Sequence, residues 1–185
     1  MKIFKTFIFI FISLTCSVKA DLNNNLINEL KQGGKLIFIR HAYAPGNGDP
    51  QNFNLYDCST QRNLSESGRQ QSKKIGNLFL KYNIDIKNVY SSEWCRCKET
   101  ASIAFKEYKT KKFLNSFYSA QFVENKSKQI KEFYNFIDSW DKKQNLLFVT
   151  HYVFILEIIK YAPSSGEIII VDENFKIVDT INIKY

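Results

Sequence analysis

A chain of 185 residues with 44% apolar and 15% aromatic side chains carries too much core-forming material to be disordered. That length suits one domain with a real core and leaves too little for two. The formal charge of +8 favours anionic ligands in general, but no basic stripe with interleaved aromatics, the pattern of a nucleic-acid groove, runs along the chain.

Residues 1–20 read as a secretory signal peptide. Lys2 and Lys5 form a basic start, Phe7 to Leu14 is an apolar stretch, and Val18-Lys19-Ala20 ends on a small residue suited to cleavage. The apolar stretch is short for a membrane span. An uncleaved anchor, or a lipoprotein using Cys16, is the rival reading. Cleavage would remove Lys2, Lys5 and Lys19 and no acid, so the charge of +8 falls by three.

The remaining residues, 21–185, are expected to form a single domain. A short helix over residues 21–33 opens it, with Asp21 as cap, Leu22, Leu26, Ile27 and Leu30 on one face, and Gly33-Gly34 as terminator. A buried strand, Lys35 to Ile39, follows and stops at Arg40-His41. Residues 42–64 form a long polar loop, a length that is usually functional in a compact domain. Ser65 caps the next helix, whose apolar face is Ile75, Leu78, Phe79 and Tyr82, with Asn83 as the stop. A second strand is centred on Asn88-Val89-Tyr90. Ser91-Ser92 then cap a helix from Glu93 to about Phe105, placing Arg96 beside the free N–H groups and positive dipole end of its first turn. Lys111 to Leu114 is expected to be a short strand. A helix spans about Asn125 to Trp140, a buried strand Leu146 to Thr150, and an apolar helix Tyr152 to Tyr161 before Pro163. Two strands close the chain, Glu167 to Val171 and Phe175 to Ile183, turning at Asp172-Glu173-Asn174. Alternating strands and helices predict an α/β fold: a three-layer α/β/α sandwich with a mainly parallel sheet and a C-terminal antiparallel hairpin.

Cys58, Cys95 and Cys97 remain after cleavage. Export favours a disulfide. Cys95 and Cys97 point to different sides of a helix, so Cys58 with one of them is expected, and the third is a small buried hydrophobe. A zinc site is the rival, but Cys-x-Cys is not the usual finger spacing.

The chain has two histidines, His41 and His151, and each directly follows a strand-like apolar run. With Arg40 and Arg96 they converge on the C-terminal edge of the sheet, where open α/β folds place ligands. Two arginines and two imidazoles suit a phosphoryl group. Arginine grips phosphate oxygens with a planar, permanently charged fork. A neutral imidazole can attack phosphorus, and a second can stabilise the transferring group.

These residues resemble the histidine phosphatase superfamily, which includes the cofactor-dependent phosphoglycerate mutases. Arg40-His41-Ala42 resembles its RHG/RHA signature. Leu64-Ser65-Glu66-Ser67-Gly68-Arg69-Gln70 is similar to its L-[ST]-x-x-G-x-x-Q helix start. Ser91 to Ala101 is similar to its S-x-x-x-R-x-x-x-T-A helix, and Val149-Thr150-His151 to its second histidine. The resemblance implies that His41 is the nucleophile, forming a phosphohistidine that water then hydrolyses. Arg40, Arg96 and His151 would bind the phosphoryl group, with Asn47 a further substrate contact, and neither metal nor cofactor is expected. The partner expected is a small phosphorylated substrate, with no nucleic acid and no lasting membrane insertion. The compartment expected is periplasmic or secreted.

Two departures from the family stand out. Mutase-like members place a catalytic Glu after a pair such as Leu-Asn, but Leu114-Asn115 is followed by Ser116. Another branch has Asp after the second histidine, and here Tyr152 stands there. The general acid is therefore open among Asp49, Asp57, Glu124, Glu167 or none, although Asp49 and Asp57 also read as turn residues. The expected function is an exported phosphatase. The alternative is a phosphate-binding or phospholigand-binding protein on the same fold.

Overall fold

A computed structural model describes residues 22–185. The signal-peptide reading and Asp21 as a cap lie outside the described residues. Asn23 caps the first helix instead, its side chain accepting the Leu26 N–H at 2.7 Å. In chain order the elements are α1 (Asn24–Gln32), β1 (Leu36–Arg40), α2 (Glu66–Lys81), β2 (Asn88–Ser91), α3 (Cys95–Phe105), β3 (Lys109–Thr110), α4 (Lys126–Asp138), β4 (Leu146–Thr150), α5 (Tyr152–Ile159), β5 (Ile168–Val171) and β6 (Ile177–Ile181).

The sheet order is β3-β2-β4-β1-β5-β6. The first four strands run parallel, β5 is antiparallel to β1, and β6 is antiparallel to β5. Strands β1, β4 and β5 are buried along almost their whole length, which is why they read as unbroken apolar runs. Alternate residues of each strand feed opposite layers. Ile37, Ile39, Leu147 and Val149 pack with Leu26 of α1, Ile75 and Phe79 of α2, and Ala101 of α3. Leu36, Phe38, Leu146 and Phe148 pack with Phe133 of α4 and Phe154 and Ile155 of α5. Fully burying side chains of this size stabilises by about 1.5–3 kcal/mol each. The result is the three-layer sandwich with a C-terminal hairpin.

This register sets the site. Arg40 lies opposite Thr150 on adjacent parallel strands, and the His41 N–H donates to the Thr150 carbonyl at 2.9 Å. The two histidines therefore leave the sheet side by side. Helix α2 starts against the chain just beyond His41. Ser65 caps it, accepting the Gly68 N–H at 3.2 Å, while the Ser65 N–H donates to the Tyr43 carbonyl at 3.2 Å. A Cβ at Gly68 would lie 2.0 Å from that carbonyl oxygen, so only glycine permits the approach.

Three local expectations are corrected. Lys112–Leu114 is a 3₁₀ turn, and the strand is the exposed pair Lys109–Thr110 just before it. Buried Phe113 and Leu114 drive the turn into the α4–α5 layer. Ser91 ends β2 and Ser92 precedes α3 by three residues, so neither is the residue that caps it. That position is Trp94, without a side-chain bond. The final turn is longer than Asp172-Glu173-Asn174, because Asp172 Oδ1 accepts the N–H groups of both Asn174 and Lys176 at 2.9 Å and delays β6 to Ile177.

Cys58 is bonded to Cys95, closing a separation of 37 residues, and Cys97 is free and buried. The bridge ties the long loop to the start of α3. In the chain-entropy picture a loop of that size is worth about 4 kcal/mol. Among the described residues, no helix is long and apolar enough to cross a membrane.

Candidate active site

Beyond the C-terminal ends of β1 and β4 lies a cavity of about 240 Å³. Arg40, His41, Arg96 and His151 all line it, as the sequence reading requires, and Asn47 lies exposed at its mouth. The 42–64 loop contributes Asn47, Asp49 and Arg62 to its wall, and the chain beyond β3 contributes Ser116, Tyr118 and Phe122.

The hydrogen bonds fix one tautomer of His41. Its Nδ1 lies 2.8 Å from the Ala42 carbonyl, an oxygen that only accepts, so Nδ1 carries the proton. Arg96 Nε, which only donates, lies 3.2 Å from Nε2, so Nε2 holds the lone pair. The ring is 2% exposed. Burial, and then the charge of Arg96, push its pKa well below the ordinary histidine value, so it is neutral. A neutral imidazole with Nε2 unprotonated is the nucleophilic form. The Ala42 N–H in turn donates to Thr100 Oγ1 at 3.1 Å, which anchors the residue after His41 to α3.

The same logic applies to His151. Arg96 Nη2 lies 3.5 Å from Nδ1, so Nδ1 accepts and Nε2 carries the proton. That proton is given to Ser92 Oγ, 2.9 Å away. Ser92 Oγ is also within 3.0 Å of Asn115 Oδ1. Burial, then Arg96 and His41, depress this imidazole as well. The two rings sit edge to face with centroids 5.5 Å apart. Cys97 Sγ lies 3.5 Å from His151 Nε2. Burial pushes its thiol up to about 12, so it is a neutral part of the wall.

The arginines differ in their ties. Arg40 Nη1 donates to the Pro163 carbonyl at 2.9 Å, and its guanidinium lies 5.4 Å from the centre of the Tyr152 ring. Its Nε is buried without a partner. Arg96 is 3% exposed and its guanidinium is clasped by Asp49, with Nη1 to Oδ1 at 2.7 Å and Nη2 to Oδ2 at 3.1 Å. The helix end near Arg96 is not the free anion site anticipated. The N–H groups of Glu93, Trp94 and Cys95 are taken by Asn115 Oδ1, Ser92 Oγ and Gln61 Oε1. It is the Arg96 side chain that faces the cavity, not the helix backbone.

The sequence does not single out Arg62, which also lines the cavity. It donates through Nε to the Gly48 carbonyl at 2.8 Å and through Nη1 to that of Ala44 at 2.5 Å. Burial, then the repulsion of Arg96, lower its pKa to about 10, and it remains a cation at neutral pH. An arginine in a polar loop gives no sequence signal of this placement. The glutamine of the helix-start motif is also one residue further on than Gln70. Buried Gln71 accepts the Tyr43 N–H at 2.8 Å and donates to Ser165 and Ile183 carbonyls at 2.7 and 2.5 Å.

The four candidate acids separate cleanly. Asp57 is exposed and caps its own turn through the Ser59 N–H at 2.9 Å. Glu124 is exposed and lies outside the cavity lining. Glu167 is buried outside that lining, bonded to the Tyr161 hydroxyl at 2.5 Å and the Ser164 N–H at 2.6 Å. Asp49 alone lines the cavity, so the loop-turn reading of this residue is too modest. Burial pushes its carboxyl up. The hydrogen bonds and charge of Arg96, the Arg62 N–H and the Trp94 indole outweigh that and hold it below the ordinary carboxylate range.

Residues 36–115 match the family model of the histidine phosphatase superfamily, branch 1. No curated protein matches the sequence. Similar solved structures include an Agrobacterium tumefaciens protein assigned as the phosphohistidine phosphatase SixA, 15% identical with a TM-score of 0.57, covering 81% of this chain and 98% of that one. A phosphoglycerate mutase from Thermus thermophilus is 13% identical with a TM-score of 0.57, covering 81% and 99%. A second Thermus thermophilus protein, TTHB049, is 14% identical with a TM-score of 0.58, covering 80% and 98%. At these identities the likeness concerns the fold.

Proposed function

We propose that this chain, whose residues 36–115 match the histidine phosphatase superfamily, is an exported phosphatase that hydrolyses a phosphate ester or related phosphoryl compound through a phosphohistidine on His41. The observation that carries this reading is the tautomer of His41, with Nδ1–H held by Ala42 and the Nε2 lone pair facing Arg96. Arg40, Arg62 and Arg96 supply the positive charge for a phosphoryl dianion. The buried, unpaired Arg40 Nε is a donor that a phosphoryl oxygen would satisfy. His151 Nδ1 faces the same space and would take a proton as negative charge arrives. In the reaction Nε2 forms a bond to phosphorus as the ester oxygen departs, and water then cleaves that bond.

Hydrolysis is preferred to phosphoryl transfer between glycolytic intermediates. Ser116 and Tyr152 stand where a family carboxylate would be expected, and the signal-like N-terminus favours export. The Cys58–Cys95 bridge is in keeping with an oxidising compartment, periplasmic or secreted. One observation favours the second reading, a phospholigand-binding protein: Arg96 is already occupied by Asp49.

Purified mature protein offered p-nitrophenyl phosphate decides between them. Turnover is expected, with a base-stable phosphoprotein trapped on rapid quenching. His41→Ala is expected to lower the rate by about 10⁴-fold or more and to abolish the trapped species. Unchanged turnover in His41→Ala would remove the nucleophile from this reading. Phosphate binding without turnover, lost in Arg96→Ala, would establish the binding protein instead.

A further inference from the structure

Both family positions for a proton donor are filled by residues that are not acids, and one carboxylate lines the cavity. We propose that Asp49 is the proton donor to the leaving group, and that it is freed for this role when a phosphoryl group takes its place on Arg96. This inference rests on the reading of His41 as nucleophile and assigns the group that reading lacks.

The geometry is specific. The Arg96 guanidinium reaches His41 Nε2 through Nε and Asp49 through both Nη atoms. One cation thus spans from the attacking nitrogen to the carboxylate. The two carboxylate oxygens meet that guanidinium fork as two phosphoryl oxygens would. A phosphoryl group within reach of Nε2 competes with Asp49 for the same donors. Asp49 follows Gly48, and no atom lies within 4 Å of a Cβ built there, so there is open space beside the carboxylate's own segment. It is the carboxyl that moves, because Arg96 is on a helix and 3% exposed.

Displacement changes the chemistry of Asp49. Arg62 on the loop and Trp94 and Arg96 at the start of α3 bond it, and Arg40 at the end of β1, His41 after it, and His151 and Tyr152 after β4 line the same cavity. Arg96 is the one that favours its ionised form most strongly. A phosphoryl dianion on Arg96 removes that support and adds a negative neighbour, while the partial burial remains. Both changes, added to that burial, favour the protonated carboxyl. Arg62 stays nearby, so the proton is not held too tightly to give up.

The step then balances. Nε2 donates its lone pair to phosphorus, and the bond between phosphorus and the ester oxygen breaks with its electron pair on oxygen. Asp49 gives that oxygen its proton, releasing an alcohol and leaving a carboxylate. In the second half, water attacks phosphorus and its proton passes to Asp49. The electron pair of the nitrogen–phosphorus bond returns to Nε2. Substrate binding thus prepares the acid, which the unliganded protein stores as a counter-ion.

The test uses Asp49→Asn in the mature protein, with its fold checked by circular dichroism, on aryl and alkyl phosphates of rising leaving-group pKa. The wild-type rate is expected to change little along the series. The variant is expected to fall steeply, losing about 10²-fold or more on an alkyl phosphate and far less on p-nitrophenyl phosphate. Equal losses on both would overturn the proposal. A second arm needs no turnover. Tungstate, a dianion that does not titrate near neutrality, is bound in buffers of different ionisation enthalpy. The wild type is expected to take up about one more proton than Asp49→Asn, a difference the two histidines cannot supply because both proteins contain them. Equal uptake would overturn the proposal. A wild type inert toward every ester would instead sink the phosphatase reading, and the tungstate arm would still judge Asp49.

Discussion

The site is built from two kinds of chain. Arg40 ends β1, His41 follows it and His151 follows β4, and backbone hydrogen bonds of the sheet hold Arg40 and His41 against Thr150. Asp49 and Arg62 come from the 42–64 loop, which side chains bond to its own backbone and which a disulfide pins to α3. The strand-borne half has no freedom to rearrange without breaking the sheet. The loop-borne half can change while the sheet stays intact. The group proposed to attack phosphorus, His41, lies in the first half. The carboxylate proposed to change place when a ligand arrives, Asp49, lies in the second, while His151 in the first responds by protonation alone.

Removing the bridge is the strongest way to break this division. Cys58→Ser with Cys95→Ser is expected to cost at most about 4 kcal/mol, read as a lower urea midpoint. The loss falls on the loop, so activity is expected to drop through a raised KM before kcat declines. An unshifted midpoint would mean that the loop is held by its hydrogen bonds alone, through Gln61, Arg62 and Asn63.

The strand-borne half is tested by pH. His41 and His151 both have folded-state pKa values pushed well below 6.5, chiefly by burial. As pH falls below 6.5 the unfolded chain binds protons that the folded chain does not. Stability is therefore fully present above 6.5 and lost as pH falls toward the folded values. Two such groups remove at most about 2.5 kcal/mol between pH 7 and 5.5. Urea titrations across that range check the slope. Saturating phosphate is expected to flatten it, because an anion beside Arg96 favours the protonated His151. A stability independent of pH here would mean that one imidazole is charged in the folded protein, and the tautomer argument would fail with it.

The same division explains what the sequence discloses. Leu36 to Arg40 and Leu146 to Thr150 are short apolar runs, and a cation or imidazole directly after such a run has few places to be except a sheet edge. Their neighbourhood also follows from the α/β alternation. Asp49 lies in Gly48-Asp49-Pro50 and looks like a turn residue, because nothing local records that Arg96, 47 positions on, folds against it. Arg62 is hidden for the same reason. The edge strand Lys109–Thr110 is silent in the sequence because two exposed residues have no apolar signature, while the apolar Phe113 and Leu114 beside it suggest a strand where a 3₁₀ turn forms. Ser92 looks like a cap, yet its hydroxyl serves His151, a contact across 59 positions.

Asn47 gives the smallest and finest test. It is exposed at the cavity mouth between Gly46 and Gly48 and takes no part in the core. Asn47→Ala is expected to change folding stability by no more than about 0.5 kcal/mol. If the side chain holds a substrate oxygen equally in the ground and transition states, KM rises up to about tenfold with kcat unchanged. If instead it matters only once Asp49 has swung away, kcat falls and KM does not, since the contact then exists only in the displaced loop. Steady-state kinetics on an alkyl phosphate separates these outcomes. A variant equal to wild type in both constants would take Asn47 out of the site and leave substrate contact on this loop to Asp49 and Arg62.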